Sequence, residues 1–195
     1  MSVSQQSVLG SSQNLIASHV AGCNPPTLKN SIILPTTITT AAPYFANISG
    51  AVYTIPVIAA AATIVLPHVA VAKGYQFDFV FSANQGQVIT FAPLTSAGVV
   101  GAATTTPVLA GRSFQRGPAP QAPGGAGAVT GGPLYLSFTA QSLFVVGVAG
   151  GNPAYAQAGD TVRFLCDGTN WLVDAYSSNI SINGLNTIAV FSVTA

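Results

Sequence analysis

Residues 159–177, GDTVRFLCDGTNWLVDAYS, decide the fold of this chain. Hydrophobic and polar residues alternate over 161–166 and again over 171–176, which is the period of a strand buried on one face. The turn-forming residues 167–170 lie between these runs, and Gly168 can adopt the positive φ that a short hairpin loop requires. The stretch therefore predicts a β-hairpin whose buried face carries Trp171, the one tryptophan of the chain.

Strand-length segments lie on both sides of this hairpin. Aromatic residues alternate with other residues over 75–81, a loop follows at 82–87, and 88–91 is predicted to return as the partner strand. Other segments with strand composition are SIIL at 31–34, TTITT at 36–40, AVYTIPV at 51–57, 134–138, 143–148 and, after the turn Asn183-Gly184, 188–193. No long helical period is present. The sequence predicts an all-β sandwich, of jelly-roll type, in residues 31–195.

Two segments differ in composition from this domain. Residues 1–30 are rich in Ser, Gln and Asn and show no sustained period, so we expect an extended N-terminal arm. Such an arm is either disordered or ordered along a neighbour, and apolar positions such as Leu15 and Ile16 favour the second. Residues 95–133 are rich in Gly, Pro and Ala and are predicted to be an irregular insertion. Within it, Arg112 and Arg116 flank Phe114, and these three residues are predicted to contact a partner; the alternative is a solvated insertion with incidental arginines.

Charge is scarce in this sequence. Charged residues make up 5%, there is no glutamate, and the net charge is +1, whereas ordinary soluble domains have about 25%. Such a surface predicts a homo-oligomer or lattice in which partners cover it; the alternative is an exterior of Ser, Thr, Asn and Gln. No basic cluster predicts nucleic-acid binding. The hydrophobic span 55–72 contains Pro56 and Pro67, which favour short strands over a membrane helix.

Candidate catalytic and metal-binding residues are few. His68 with Asp78 and a serine would be a triad without a supporting motif, and the spacing of Asp160, Asp167 and Asp174 matches no calcium loop. Asp160 and Asp167 have a simpler role in turns. Cys166 is predicted to be a small buried residue, and a disulfide with Cys23 is left open. We expect no enzyme activity, no cofactor and no metal.

The pattern Gly-Asp-Thr-Val, a short strand, and Asp-Gly-Thr-Asn-Trp at 159–171 resembles the terminal hairpin of small β-domains in virion proteins. These include phage tail-fibre domains and capsid proteins of large DNA viruses, and residues 63–94 are a looser echo of an earlier hairpin. The resemblance implies a structural role in a capsid, with the major capsid protein or other virion proteins as partners. It places the protein in the virion, and in the host cytoplasm during assembly. It implies no catalytic or ligand-binding residues. A receptor-binding or carbohydrate-binding fibre domain is the alternative.

Overall fold

The computed structural model describes residues 30–95, 108–115, 134–147, 155–178 and 191–194. These residues form strands and turns, with no helix among them. The strands, in chain order, are β1 (Ser31–Ile33), β2 (Tyr44–Phe45), β3 (Val52–Ile55), β4 (Ala62–Leu66), β5 (Gln76–Phe81), β6 (Ile89–Pro93), β7 (Leu109–Gln115), β8 (Leu134–Gln141), β9 (Leu143–Val146), β10 (Thr161–Cys166), β11 (Trp171–Ser177) and β12 (Phe191–Thr194). The all-β prediction is confirmed.

The strands form two mixed sheets. The large sheet has the order β1-β3-β5-β10-β11-β7-β8, and the small sheet has the order β12-β9-β6-β4-β2. Strands β1 to β6 alternate between the sheets, so β1, β3 and β5 are parallel neighbours in one sheet and β2, β4 and β6 in the other. A jelly roll is antiparallel. The structure therefore shows a β-sandwich but does not confirm the jelly-roll topology.

Aromatic side chains fill the space between the two sheets. The rings of Phe79 and Phe91, one from each sheet, lie 4.9 Å apart between centroids, and those of Phe164 and Phe91 lie 5.0 Å apart. Phe144 from β9 contacts Phe164 as well. Rings at these spacings and tilts contribute beyond the area they bury. The core thus joins the sheets through their facing aromatic residues.

The hairpin predicted over 159–177 is confirmed. Strands β10 and β11 are antiparallel, Cys166 lies opposite Trp171, and Gly168 has a φ of 98°. The carboxylate of Asp167 accepts hydrogen bonds from the backbone N–H groups of Thr169 and Asn170, at 2.7 and 2.6 Å. These bonds hold the pKa of the Asp167 carboxyl below its usual range. Trp171 is fully buried, and its Nε1 donates to the Pro67 carbonyl at 3.1 Å.

The predicted pairing of residues 75–81 with 88–91 is wrong. Strand β5 pairs with β3 and β10 in the large sheet, whereas β6 pairs with β4 and β9 in the small sheet. The segment between them crosses from one sheet to the other. Each strand can then direct its aromatic residues into the shared core, which buries more apolar surface than a two-stranded hairpin would.

Two local predictions also differ from the structure. Residues 36–40 contain no strand: 36 and 37 form a turn, and the Oγ1 of Thr39 accepts a hydrogen bond from the Ala42 N–H at 2.9 Å, a local bond that competes with strand pairing. Strand β7 lies inside the segment predicted to be an irregular insertion, where it pairs with both β11 and β8. The hydrophobic span 55–72 contains strand β4. None of the described residues form a helix long and apolar enough to cross a membrane.

Candidate interaction surface on the large sheet

The outer face of the large sheet carries a row of alternating charges. Asp78 on β5 lies opposite Arg163 on β10, which lies opposite Asp174 on β11, which in turn lies opposite Arg112 on β7. The row runs across four adjacent strands because residues that lie directly opposite each other on neighbouring strands point to the same face of the sheet. We call these four residues the charge row. They are four of the chain's nine charged residues.

Neighbouring members of the charge row neutralise one another. The Nε of Arg163 donates to Asp78 at 2.8 Å, and the Nε of Arg112 donates to Asp174 at 3.1 Å. The Asp78 side chain is only 13% exposed and also accepts from the Gln76 amide at 3.2 and 3.3 Å. The arginine side chains remain largely exposed, at 78% for Arg112 and 59% for Arg163. The row therefore has no net charge and presents two guanidinium groups to the outside.

Apolar side chains flank the charge row on both sides. On one side, Phe114 lies opposite Tyr176 and their rings stack with centroids 5.5 Å apart. On the other side, Leu165 lies opposite Leu172. Leu165, Leu172 and Tyr176 are each about two-fifths exposed. Adjacent exposed apolar residues rimmed by polar groups mark interaction sites, and aromatic residues and arginine are enriched in protein interfaces.

The outer face also forms a groove of about 760 Å³. Its lining includes the whole charge row together with Phe114 and Tyr176, and it extends from Val52 on β3 to Ser137 on β8. The groove therefore crosses six of the seven strands. This extent across the sheet and the exposed, mostly paired charges of the lining suit a macromolecular surface or an extended ligand.

A buried carboxylate fixes the ends of β10 and β11 next to this face. Asp160 is fully buried and accepts four hydrogen bonds: from the Gln157 N–H at 2.8 Å, the Ser177 hydroxyl at 2.6 Å, the Ser178 N–H at 2.7 Å and the Ser178 hydroxyl at 3.0 Å. A buried charge with this many donors is stabilised without a cation. Asp160 therefore has the turn role that the sequence predicts, and it holds the strands that carry Arg163 and Asp174.

The remaining candidate catalytic and metal-binding residues take part in local contacts that stabilise the fold. The Nδ1 of His68 accepts from the Ala70 N–H of its own turn at 3.3 Å. Across the described part of the chain, no three His, Cys or acidic residues come together as a metal site. Cys166 is a free thiol, buried, with its Sγ 3.6 Å from the Val69 carbonyl, and burial raises its pKa. A raised pKa keeps the thiol protonated and unreactive.

The predicted partner-contact residues are placed as follows. Arg112 and Phe114 both lie on the outer face, but Phe114 stacks on Tyr176 and Arg112 pairs with Asp174. Arg116, Leu15 and Ile16 lie outside the described residues. Sequence reasoning missed Asp78, Arg163 and Asp174 as parts of one surface. Each of the four strands carries a single charged residue at an outward position. That these charges form one row follows only from the order of the strands in the sheet.

Comparison of the chain with protein-family models, with curated proteins and with solved structures gave no match. The outer face presents a neutral row of paired charges bordered by exposed apolar side chains.

Proposed function

We propose that this chain is a non-enzymatic structural protein of a virus particle, a minor capsid or cement protein that contacts neighbouring capsid subunits. The observation that carries the proposal is the outer face of the large sheet. Its charges are mutually neutralised, and Leu165, Leu172 and Tyr176 are exposed beside them. A surface of this kind gains free energy when apolar area is buried against another protein.

The scarcity of charge supports assembly more generally. A protein with 5% charged residues has little electrostatic repulsion between copies. Further large hydrophobic side chains are exposed away from the outer face, including Phe45 on β2 and Val71 in the segment between β4 and β5. Several contact surfaces on one small domain suit a position among many neighbours, where weak contacts add through valency.

The viral part of the proposal depends on the resemblance of residues 159–171 to hairpins of virion β-domains. The β-sandwich is compatible with that resemblance, and the proposal includes an N-terminal arm over 1–30 that orders along a subunit of the shell. We place the protein in the capsid of the finished particle and in the host cytoplasm during assembly.

Incorporation into particles tests this proposal. Particles assembled in the presence of tagged chain are purified by density-gradient centrifugation, and the chain is measured by immunoblot against the major shell protein. We expect a constant ratio of chain to shell protein across the particle peak. A chain that stays at the top of the gradient, while shell protein migrates normally, would refute a structural role in the particle.

A second function has one observation in its favour. The groove presents the stacked rings of Phe114 and Tyr176 beside arginine and aspartate side chains. Apolar rings next to planar polar groups also suit a sugar, so a carbohydrate-binding or receptor-binding domain of a virion is the alternative. Binding to a glycan array that is lost in Tyr176→Ala would favour this alternative over the cement role.

A further inference from the structure

We propose that the outer face of the large sheet binds the same face of a second copy of this chain. The two copies are related by a two-fold axis that runs parallel to β10 and β11 and passes between them. This inference rests on the proposed structural function and names its partner surface. Three observations carry it: the order of signs in the charge row, the residues on both sides of the row, and the dimensions of the face.

The charge row is complementary to itself under this symmetry. Across β5, β10, β11 and β7 the signs are negative, positive, negative and positive. A two-fold axis through the centre of the row places Asp78 of one copy opposite Arg112 of the other, and Arg163 opposite Asp174. Each of these two contacts occurs twice, as an isologous interface requires. All eight charges of the pair therefore face an opposite charge.

The competing face-to-face arrangement is electrostatically unfavourable. A two-fold axis in the same plane but perpendicular to the strands places each member of the charge row opposite its own copy. Asp78 would face Asp78 and Arg163 would face Arg163, and juxtaposed like charges oppose association at an interface. The row thus selects the axis parallel to the strands, which is a form of specificity by repulsion.

The residues beside the charge row also match under the selected axis. Leu165 of one copy faces Leu172 of the other, so the exposed leucines meet each other twice. On the other side, Val80 faces Phe114, and Thr161 faces Tyr176, following the strand register. The apolar positions thereby meet apolar or amphipathic positions, and the charges lie between them.

The dimensions of the face suit a dimer. Under the selected axis six of the seven strands lie opposite a strand of the other copy, because β1 at the edge of the sheet has no counterpart. Six strands about 4.8 Å apart and about six residues long give a rectangle of roughly 29 by 20 Å, or about 580 Å² per copy. This area is close to the lower end of specific interfaces, about 600 Å² per partner, so we expect a reversible dimer. Aligned sheets pack about 30° apart, which displaces the outer members of the charge row by roughly 4 Å. The flexible arginine side chains can span this displacement, and the groove gives them room.

Sedimentation equilibrium of the full chain, with charge-reversed variants, tests the proposal. We expect wild-type protein to dimerise. Asp174→Arg creates two contacts between positive charges in its own dimer, and Arg163→Asp creates two between negative charges. Each variant alone is expected to weaken dimerisation by about 100-fold or more. An equimolar mixture of the two restores all four ion-pair contacts in the mixed dimer, so dimers should reappear in the mixture.

Apolar variants provide a second readout that does not depend on the charge changes being tolerated. Leu172→Ser on the outer face is expected to weaken dimerisation by about tenfold or more, since two leucine contacts are lost by symmetry. Val71→Ser is the matched control, because Val71 is 71% exposed but lies in the segment between β4 and β5. It should leave dimerisation unchanged. Circular dichroism and Trp171 fluorescence check that each variant is folded.

Three results would overturn the inference: a wild-type chain that is monomeric at its highest soluble concentration, a mixture of folded charge variants that stays monomeric, or equal effects of Leu172→Ser and Val71→Ser. Failure here is separable from failure of the proposed function. A monomeric chain that is still incorporated into particles refutes only the self-association, whereas a dimer that never enters particles refutes only the structural role.

Discussion

Substituting Gly111 by alanine should destabilise the protein severely, because β7 passes against β11 at this residue. Gly111 has a φ of +155°, which side chains rarely adopt, and lies next to a register shift in the pairing of β7 with β8. A Cβ placed there would collide with the Val173 carbonyl oxygen and would lie 2.7 Å from the Val173 nitrogen. These are backbone atoms of a central strand, so they cannot rotate away.

The magnitude follows from the two effects. Overpacking of a well-packed site costs about 1–3 kcal/mol, and an unfavourable backbone conformation costs about 1–3 kcal/mol more. We therefore expect a loss of about 4 kcal/mol in the free energy of unfolding, a large part of the roughly 5–15 kcal/mol that a domain has. Because β7 carries Arg112 and Phe114, the same substitution should disturb one end of the charge row.

Urea denaturation followed by the fluorescence of Trp171 measures this loss, since Trp171 is the only tryptophan and is fully buried. Gly86→Ala is the matched control: no atom lies within 4 Å of a Cβ at Gly86, and its φ is not in the restricted range. The control should change stability by less than about 0.5 kcal/mol. If Gly111→Ala were as stable as Gly86→Ala, the described path of β7 between β11 and β8 would be wrong.

Three further predictions concern other parts of the chain. Asp160→Asn should lower the free energy of unfolding by about 3 kcal/mol in the same urea assay, because an amide NH₂ would replace an oxygen that accepts hydrogen bonds. An unchanged urea midpoint would contradict the hydrogen bonds described for the buried Asp160 carboxylate. Burial raises the pKa of the Cys166 thiol and of the Tyr44 phenol, so the folded state retains protons that the unfolded state releases. Stability should be unaffected below about pH 8.5 and fall as the pH rises above it, with a smaller fall in Cys166→Ala; a urea midpoint that rises between pH 8 and 10 would reverse the sign. Deleting residues 1–29 retains the Asn30 carbonyl that accepts the Val52 N–H at 2.8 Å, so circular dichroism should be unchanged while incorporation into particles falls; normal incorporation would show that the arm is not the attachment.

The sequence predicts the hairpin of β10 and β11 well because its signals are local. The alternation of residues 161–166, the turn at Asp167 and Gly168, and the alternation after Trp171 all lie within twenty residues and agree with one another. Where local signals agree in this way, tertiary packing has little to override. The aromatic alternation at 75–81 predicts a strand for the same reason, and its inward face is buried.

Pairing between strands was predictable only where it is local. Strand β6 follows β5 closely, but the two lie in different sheets, and the sequence between them gives no sign of the crossing. Strand β7 contains Gly111 and lies in a Gly- and Pro-rich segment, so its own composition argues against a strand. It forms because β11 and β8 provide pairing partners on both sides.

The charge row depends on this non-local pairing. Its members come from four strands, and Asp78 is separated from Arg163 by 85 residues along the chain. The composition indicates that charged residues are scarce, but it does not indicate that four of them lie side by side on one face. Arg112 was identified from its neighbours in the sequence, whereas its contact with Asp174 follows from the parallel pairing of β7 with β11.

The central claim, that this chain is a structural component of a virus particle, is tested most directly by quantitative mass spectrometry of purified particles. Peptides from the hairpin of β10 and β11 would be counted against those of the major shell protein. The account predicts that the chain is present at a fixed ratio to that protein in every particle fraction, through successive rounds of purification. A ratio that falls towards zero as the particles become purer would contradict it.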